Sequence, residues 1–220
     1  MRLSKPSKIV RMVTLDALGT LVELEPPWEH LARSLGREPD ARLVGAVRAE
    51  MAYYRDHAHT GRDVASLAEL RARCAQILSG ELGQEIDVET MMAAIRFRPY
   101  PDSAPTLAQL RARGLRLACV SNWDCSLPDV LERCGLAGGL DDVISSAVAG
   151  ARKPDPAIFA PALAAAGCQP AEALHVGDTP EEDVAGAHAA GMAALLLDRD
   201  GGGDIASLAE ISERLGRMGG

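Results

Sequence analysis

Five polar side chains stand at or after four apolar runs of this sequence, and their types fit one kind of chemistry. Asp16 follows the run IVRMVTL, Ser121 ends LRLACVS, and Asp178 follows ALHVG, with Asp183 five residues further on. Lys153 stands in ARKPDP, downstream of the run DDVISS. Clustered carboxylates repel one another and hold their protons unless a cation compensates them. The residue types therefore predict a site that combines carboxylates, a lysine and a metal ion.

These side chains have complementary roles in phosphoryl transfer. Mg²⁺ prefers oxygen ligands, which predicts Asp16 and Asp178 as ligands and Asp183 as a ligand acting directly or through water. Lys153 is one of only three lysines in the chain, and its compact charge would neutralise both a nucleophile and a substrate anion. Ser121, with nearby backbone N–H groups, would hold a phosphate oxygen. A carboxylate nucleophile beside a divalent ion describes transfer through an aspartyl-phosphate.

The elements that must position these residues are strands alternating with helices. Five short apolar runs read as strands: IVRMVTLD, LRLACVS, DDVISS, ALHVGD and MAALLLD. Helical segments of ten or so residues separate the last four, as in βαβ crossovers, so the strands should form one parallel sheet. Ligands bind outside the carboxyl ends of such strands. Each polar residue alone is common in turns, but five at successive strand ends indicate a site.

A different pattern occupies residues 28–95. Four segments there carry apolar residues at helical spacing with no strand between them: WEHLARSLG, ARLVGAVRAEMAYYRDHA, VASLAELRARCAQILSG and VETMMAAIRF. We therefore predict a doubly wound α/β, Rossmann-like core formed by residues 1–22 and 96–220. Residues 23–95 are predicted to form an inserted helical cap.

Composition limits the partners. The 220 residues are 47% apolar and 25% charged, which suits a folded domain, and the formal net charge of −8 disfavours nucleic acid or an anionic membrane. Five cysteines without a C-x-x-C spacing indicate reduced thiols. The basic start MRLSKPSK is a poor signal peptide, because charged residues interrupt the apolar run that follows it. We expect a cytoplasmic protein acting on a small molecule; its oligomeric state is not readable from the sequence.

Four ordered motifs, DALGTL, VSN, KPDP and HVGDTPEEDVAGA, resemble those of the haloacid dehalogenase (HAD) superfamily. The insertion is similar to its helical type-1 cap, and LDALGTLVELEPP resembles a REG-2-like branch. The resemblance implies an Mg²⁺-dependent hydrolase with Asp16 as nucleophile and metal ligand, and with the Leu18 carbonyl, Asp178 and Asp183 completing the metal site. It further implies that Ser121 and Lys153 bind and stabilise the transferred group. The same resemblance places three residues at the substrate: Gly19, Thr20 and Asn122.

One position departs from the family's pattern. Its phosphatases usually read D-x-D-G-T at the first motif, where the second Asp is the general acid, and Leu18 stands at that position here. A general acid typically contributes about 10²- to 10⁴-fold to rate. One interpretation is a phosphatase of small phosphorylated metabolites that is slow or favours good leaving groups. The others are a 2-haloacid dehalogenase, whose halide needs no proton, and a catalytically weak member that binds a ligand or partner.

The insertion also contains polar residues that could face the substrate, although packing or solvent exposure explains each of them more simply. The candidates are Tyr53, Tyr54, Arg55, His57 and His59. Three of them could replace the missing acid, namely Tyr54, His57 and His59. A dehalogenase could bind its substrate carboxylate with Arg42 or Arg48. A phosphonate-cleaving enzyme is excluded, because residues 22–98 contain no lysine for a Schiff base.

Other titratable residues near the motifs are expected to be structural. Turn or helix-capping roles are assigned to four aspartates, Asp124, Asp155, Asp198 and Asp200. His175 lies within ALHVGD and is expected to pack inside a strand rather than act as a base.

Overall fold

A computed structural model describes residues 10–218, so the basic start at residues 1–8 lies outside the described part of the chain. This part of the chain contains seven strands: β1 Met12–Leu15, β2 Val22–Leu24, β3 Phe97–Pro99, β4 Arg116–Ser121, β5 Asp142–Ser145, β6 Ala173–Gly177 and β7 Ala193–Leu196. Five of them form one parallel sheet in the order β5-β4-β1-β6-β7. These are the five strands that the sequence predicts.

Within residues 10–218, ten α-helices accompany the strands: α1 Pro27–Ser34, α2 Ala41–His57, α3 Val64–Leu82, α4 Val88–Ala94, α5 Ser103–Ala112, α6 Leu127–Arg133, α7 Ser146–Ala149, α8 Ala160–Ala166, α9 Ala185–Ala189 and α10 Ile211–Met218. The first four are the four helices expected in the insertion. A wide π-type turn at Pro180–Val184 directly precedes helix α9. Such turns occur frequently at functional sites, and this one carries Asp183.

Both faces of the five-stranded sheet are covered, which confirms the doubly wound α/β class. Val13 and Leu15 of β1 point into a cluster that includes residues of α5, α6 and α10, whereas Met12 joins a second cluster with residues of α8 and α9. Successive strand residues face opposite sides of a sheet, so β1 must be apolar on both faces to be buried at the centre. This central position places its carboxyl end in the middle of the site edge.

The helices between β2 and β3 have their own hydrophobic cluster, which includes Leu43, Leu70 and Leu78. Strands β2 and β3 pair antiparallel at the base of this unit, with Glu23 opposite Arg98. The sequence analysis did not predict this pair. The two strands of this pair lie where the chain enters and leaves the helical insertion. The domain division at residues 22/23 and 95/96 stays a prediction. Among the described residues, no helix combines the length and the apolar character needed to cross a membrane.

The cap interior holds one carboxyl group, and its burial makes the stability of the cap depend on pH. Glu50 of α2 is buried, and burial raises the pKa of its carboxyl, while a hydrogen bond from the Cys74 thiol opposes that shift. Between the unfolded and folded pKa values, the folded state binds more protons than the unfolded state. The free energy of unfolding therefore falls as pH rises through that interval.

We predict that Glu50→Gln removes this slope. The variant should gain stability relative to the parent as pH rises from 4 to 8, by roughly 1 to 3 kcal/mol at the upper end, the usual cost of a poorly satisfied buried polar group. Urea unfolding at several pH values measures the difference. Glu69→Gln, an exposed position of α3, is the matched control and should show no such trend. Parallel pH profiles for Glu50→Gln and the parent would contradict the prediction.

Candidate active site

The carboxyl ends of the strands bring the predicted polar residues together. Asp16 follows β1, Ser121 ends β4, and Asp178 follows β6. Carboxylate oxygens of Asp16, Asp178 and Asp183 all lie within 4.8 Å of one another. Parallel strands place their carboxyl ends at one edge, which is why residues more than 160 positions apart in the chain meet here.

Lys153 lies between two of these carboxylates. Its Nζ donates to Oδ1 of Asp16 and, at 2.5 Å, to Oδ1 of Asp183, and the lysine is 1% exposed. Burial by itself would lower the pKa of Lys153, but the charges of Asp16 and Asp183 and their hydrogen bonds raise it above its usual value. The side chain is therefore an ammonium ion held between two carboxylates.

Asn122 fixes the backbone of this lysine. Its Oδ1 accepts from the Lys153 N–H at 2.8 Å, and its Nδ2 donates to the Lys153 carbonyl at 3.0 Å. The same Nδ2 donates to Glu182 at 2.8 Å, and Glu182 also pairs with Arg152 at 3.1 Å. The sequence predicts Asn122 as a substrate-binding residue. The structure places its amide on the Lys153 backbone, a role that depends on a contact 31 residues away and that has no local signal.

The site has more negative than positive charge. Burial raises the pKa of Asp16, although Lys153 and a hydrogen bond from Ser121 act in the opposite direction. Burial and the nearby carboxylates of Asp16 and Asp183 raise the pKa of Asp178 to about 6. Three aspartates against one lysine leave a negative charge that a divalent cation would compensate. The donor set, oxygen atoms in close proximity, fits Mg²⁺.

Asp183 is the most fully engaged of the three carboxylates. Besides Lys153, its Oδ1 contacts His175 Nε2 at 3.1 Å, and its Oδ2 accepts from the Thr179 N–H at 2.9 Å. Burial would raise the pKa of Asp183, but the hydrogen bond from His175 and the charge of Lys153 hold it well below its usual range. His175 is fully buried and also contacts Thr14 Oγ1 at 2.8 Å, as expected of a histidine packed inside a strand.

The loop after β1 approaches Asp178 closely. Gly19 has φ +84°, and a Cβ built on it would lie 2.1 Å from Asp178 Oδ2, so both conformation and space require glycine here. Leu18 is 39% exposed, whereas Thr20 is fully buried and its hydroxyl has no hydrogen-bond partner within residues 10–218. Gly19 and Thr20, predicted as substrate-binding residues, thus lie in the backbone turn beside the carboxylates.

The cap contacts the core at the loop that follows β4. Tyr54 of α2 donates its hydroxyl to Oδ2 of Asp124 at 2.8 Å, and the N–H of Cys125 donates to the Gly61 carbonyl at 2.8 Å. Asp124 also accepts from the Ser126 N–H at 2.7 Å, the turn role expected from the sequence. Burial and the charge of Asp124 raise the pKa of Tyr54 well above its usual value, which disfavours this residue as a replacement acid.

The remaining cap candidates either have partners within the cap or are exposed. His57 Nδ1 contacts the Tyr53 carbonyl at 2.8 Å, and the two rings stack with centroids 3.9 Å apart. Arg42 donates to the Glu81 carbonyl, and Arg48 lies over the ring of Trp28. Arg55 and His59 are exposed. These contacts are those of packing and surface residues.

The expected turn residues elsewhere are in turns. Asp155 accepts from the Ala157 N–H at the start of the segment that leads into α8. Asp198 accepts from the N–H groups of Asp200 and Gly202 in the loop after β7, the edge strand. Sequence analysis missed the residue between these two aspartates, Arg199, whose guanidinium donates to the carbonyl of Thr20 at 2.8 Å.

A family model for a haloacid dehalogenase-like hydrolase matches residues 10–191. The chain belongs to this family. Membership in the HAD superfamily, which the four motifs suggested, is therefore confirmed.

Two curated relatives share part of their sequence with this HAD-like hydrolase. Haloacid dehalogenase-like hydrolase domain-containing protein 3 of Bos taurus is 48% identical over 92 residues, which are 42% of this chain and 37% of the relative. The phosphoserine phosphatase of Thermus thermophilus is 43% identical over 108 residues, 47% of this chain and 42% of the relative. The match therefore spans about two fifths of the length of each relative.

Two solved structures have a similar fold over most of this chain. A HAD phosphatase from Thermococcus onnurineus superimposes with a TM-score of 0.67 at 26% identity and covers 94% of this chain and 98% of its own. An L-2-haloacid dehalogenase from Xanthobacter autotrophicus gives a TM-score of 0.67 at 29% identity, covering 87% and 78% of the two chains. The fold of this HAD-like hydrolase is thus similar to those of both phosphatases and dehalogenases.

We predict that Gly19→Ala disrupts the site by steric conflict as well as by backbone strain. Gly114 has a similar φ of +77° but open space around it, so Gly114→Ala is the matched control. Both variants should lose roughly 1 to 2 kcal/mol of stability from the left-handed conformation. Only Gly19→Ala should lose hydrolase activity, because Asp178 must move. Equal activity in the two variants, measured on folded protein, would argue against the close approach.

Tyr54→Phe should weaken the contact between cap and core. The change leaves Oδ2 of Asp124 without its donor at a buried position, which costs about 1 to 3 kcal/mol. Urea unfolding measures the loss. Tyr53→Phe is the neighbouring control, since the Tyr53 hydroxyl makes no hydrogen bond within the described chain. If both variants lose the same stability, the Tyr54–Asp124 bond contributes nothing specific.

Proposed function

We propose that this protein is an Mg²⁺-dependent phosphatase that acts on a small phosphorylated metabolite through an aspartyl-phosphate on Asp16. The observation that supports the proposal is the carboxylate cluster itself, with a buried lysine bonded to the nucleophile and to a second aspartate. Phosphatase-named relatives, among them the phosphoserine phosphatase, also favour a phosphate ester.

The proposed metal site consists of oxygen donors. Asp16, Asp178 and the backbone carbonyl of Leu18 would hold Mg²⁺, with Asp183 acting as a further ligand or through water. When bound, the ion would neutralise negative charge on the phosphoryl oxygens and on the carboxylates. The raised pKa of Asp178 supports this assignment, because burial and the carboxylates of Asp16 and Asp183 both disfavour its charged form, and a bound cation would offset both effects.

The residues of the chain then divide the chemistry between them. A carboxylate oxygen of Asp16 attacks phosphorus, the bond to the leaving oxygen breaks, and Lys153 and Ser121 stabilise the charge on the transferred group. Water next attacks phosphorus, the bond to Asp16 breaks, and inorganic phosphate leaves with the carboxylate restored. Asn122 contributes by holding the backbone of Lys153, so that the ammonium lies at the carboxylate before substrate binds.

Leu18 constrains which esters can react. A leucine side chain has no proton to give, so the leaving oxygen departs as an anion or takes a proton from water. This favours phosphates of acidic hydroxyl groups, such as aryl esters or acyl phosphates, over esters of simple alcohols. The exposed face of Leu18 presents an apolar surface where related phosphatases have a carboxyl group.

The first test is release of phosphate from p-nitrophenyl phosphate, whose leaving group needs little acid help. We expect activity that requires Mg²⁺, is abolished by EDTA and is lost in Asp16→Asn. Asp129→Asn, an exposed position of α6, is the control and should keep full activity. Metal-independent turnover, or turnover that survives Asp16→Asn in folded protein, would contradict the mechanism.

A carboxylic acid at position 18 should raise the rate most for phosphate esters with poor leaving groups. Leu18→Asp is expected to raise kcat for an alkyl phosphate by up to about 10²-fold, with a much smaller change for p-nitrophenyl phosphate. Steady-state kinetics on the two substrates measures the ratio, and Leu18→Asn controls for polarity without a titratable proton. Equal gains from both variants would show that Leu18 does not mark a missing acid.

A 2-haloacid dehalogenase is the second candidate, and Leu18 is the observation that favours it. Expulsion of halide needs no general acid, and the dehalogenase from Xanthobacter autotrophicus shares the fold. This activity predicts chloride release from 2-chloropropionate that EDTA leaves unchanged. Asp178 and Asp183, which form an acidic pair suited to a metal, weigh against it.

A further inference from the structure

Some backbone groups of the turn after β1 are hydrogen-bonded within the turn, and others are hydrogen-bonded to a distant side chain. The N–H groups of Leu21 and Val22 both donate to the Ala17 carbonyl, at 2.8 and 2.9 Å. The carbonyls of Gly19 and Thr20 accept hydrogen bonds from a residue outside the turn, Arg199. Because buried backbone groups require partners, whatever satisfies these two carbonyls also fixes the orientation of their peptide planes.

Arg199 supplies those partners from the loop after β7. Its Nη2 donates to the Thr20 carbonyl at 2.8 Å, and its Nε lies 3.4 Å from the Gly19 carbonyl. One guanidinium thus contacts two successive carbonyls of the turn that carries Leu18. Arg199 is separated in the sequence from Thr20 by 179 positions and from Gly19 by 180 positions. These hydrogen bonds are therefore tertiary contacts.

The guanidinium is itself held on two further sides. Asp102 accepts from Nη1 at 3.1 Å and from Nη2 at 3.2 Å, and the guanidinium carbon lies 3.6 Å from the centre of the Tyr100 ring. Asp102 is oriented by the Ser207 hydroxyl and the Leu208 N–H, at 2.8 and 2.9 Å. Paired donors, a stacked ring and an anchored carboxylate leave the arginine little freedom.

We propose that Arg199 is a positioning residue that sets the geometry of the cation site. The Leu18 carbonyl belongs to the preceding peptide unit, whose Gly19 N–H donates to the Val22 carbonyl at 2.9 Å. By fixing the two peptide groups that follow this unit, Arg199 keeps that hydrogen bond in place, and with it the Leu18 carbonyl that is assigned to Mg²⁺. This step rests on the proposed function. Lysine cannot substitute, because a single ammonium lacks the planar fork that reaches a carboxylate and two carbonyls together.

Arg199→Lys tests the proposal, with Arg111→Lys as the matched control. Arg111 also contacts one carbonyl and one carboxylate, those of Gly139 and Asp141, but away from the site. Two measurements are made on each folded variant: the Kd for Mg²⁺ by calorimetry without substrate, and hydrogen–deuterium exchange of the amides in residues 17–22. Arg199→Lys should weaken Mg²⁺ binding about tenfold or more and speed this exchange. Arg111→Lys should change neither.

A second variant covers the case in which Arg199→Lys folds poorly. Tyr100→Leu removes the stacked ring and leaves the hydrogen bonds of Arg199 in place, so it should give the same two effects at smaller size. Unchanged exchange in residues 17–22, or faster exchange with an unaltered Kd, would overturn the proposal. If the parent protein binds no Mg²⁺, the metal assignment under the proposed function fails. The exchange measurement then decides separately whether Arg199 holds the turn.

Discussion

The ion pairs of Lys153 with Asp16 and Asp183 are the interaction on which the site depends. An ammonium ion that is 1% exposed is stable only when anionic partners compensate it, and removing one partner of a buried pair typically costs about 3 to 5 kcal/mol. The same contact keeps two carboxylates close together despite their repulsion. Lys153 therefore connects the loops after β1, β5 and β6, and Asn122 holds its backbone in position.

Space at the sheet edge imposes a second constraint, met by glycine at two places. A Cβ on Gly19 would collide with Asp178, and one on Gly177 would lie 2.2 Å from Asp183 Cγ. The carboxylates of Asp178 and Asp183 therefore occupy the space that a Cβ at these two glycine positions would take. The apolar β strands, the glycines and the lysine thus act together. Burial brings the strand ends to one edge, glycine lets the side chains approach, and the ammonium compensates part of their charge.

The cap and the outer loops attach to this centre through polar contacts at its margin. Tyr54 contacts Asp124, three residues beyond Ser121, so the cap is bonded to the loop that would hold the transferred phosphate. Arg199, in the loop after β7, contacts the turn that carries Leu18. In the sheet, β7 and β4 lie on opposite sides of β1. Leu18 therefore stands in a turn that neighbouring loops hold in place, beside the carboxylates of the proposed metal site.

The sequence by itself determined the five core strands, the four cap helices and the residues at the strand ends, because burial imposes a local period on apolar residues and strand ends meet at one edge. It also predicted that Asp16, Lys153, Asp178 and Asp183 meet at one edge of the sheet, and their side chains do lie together there. Only the tertiary structure decided the β2–β3 pair and the partners of Asn122, Asp124 and Arg199. Those pairings join polar residues that lie far apart in the chain. The spacing of apolar residues along the sequence predicts helices and strands, but it does not specify which distant polar group a side chain contacts.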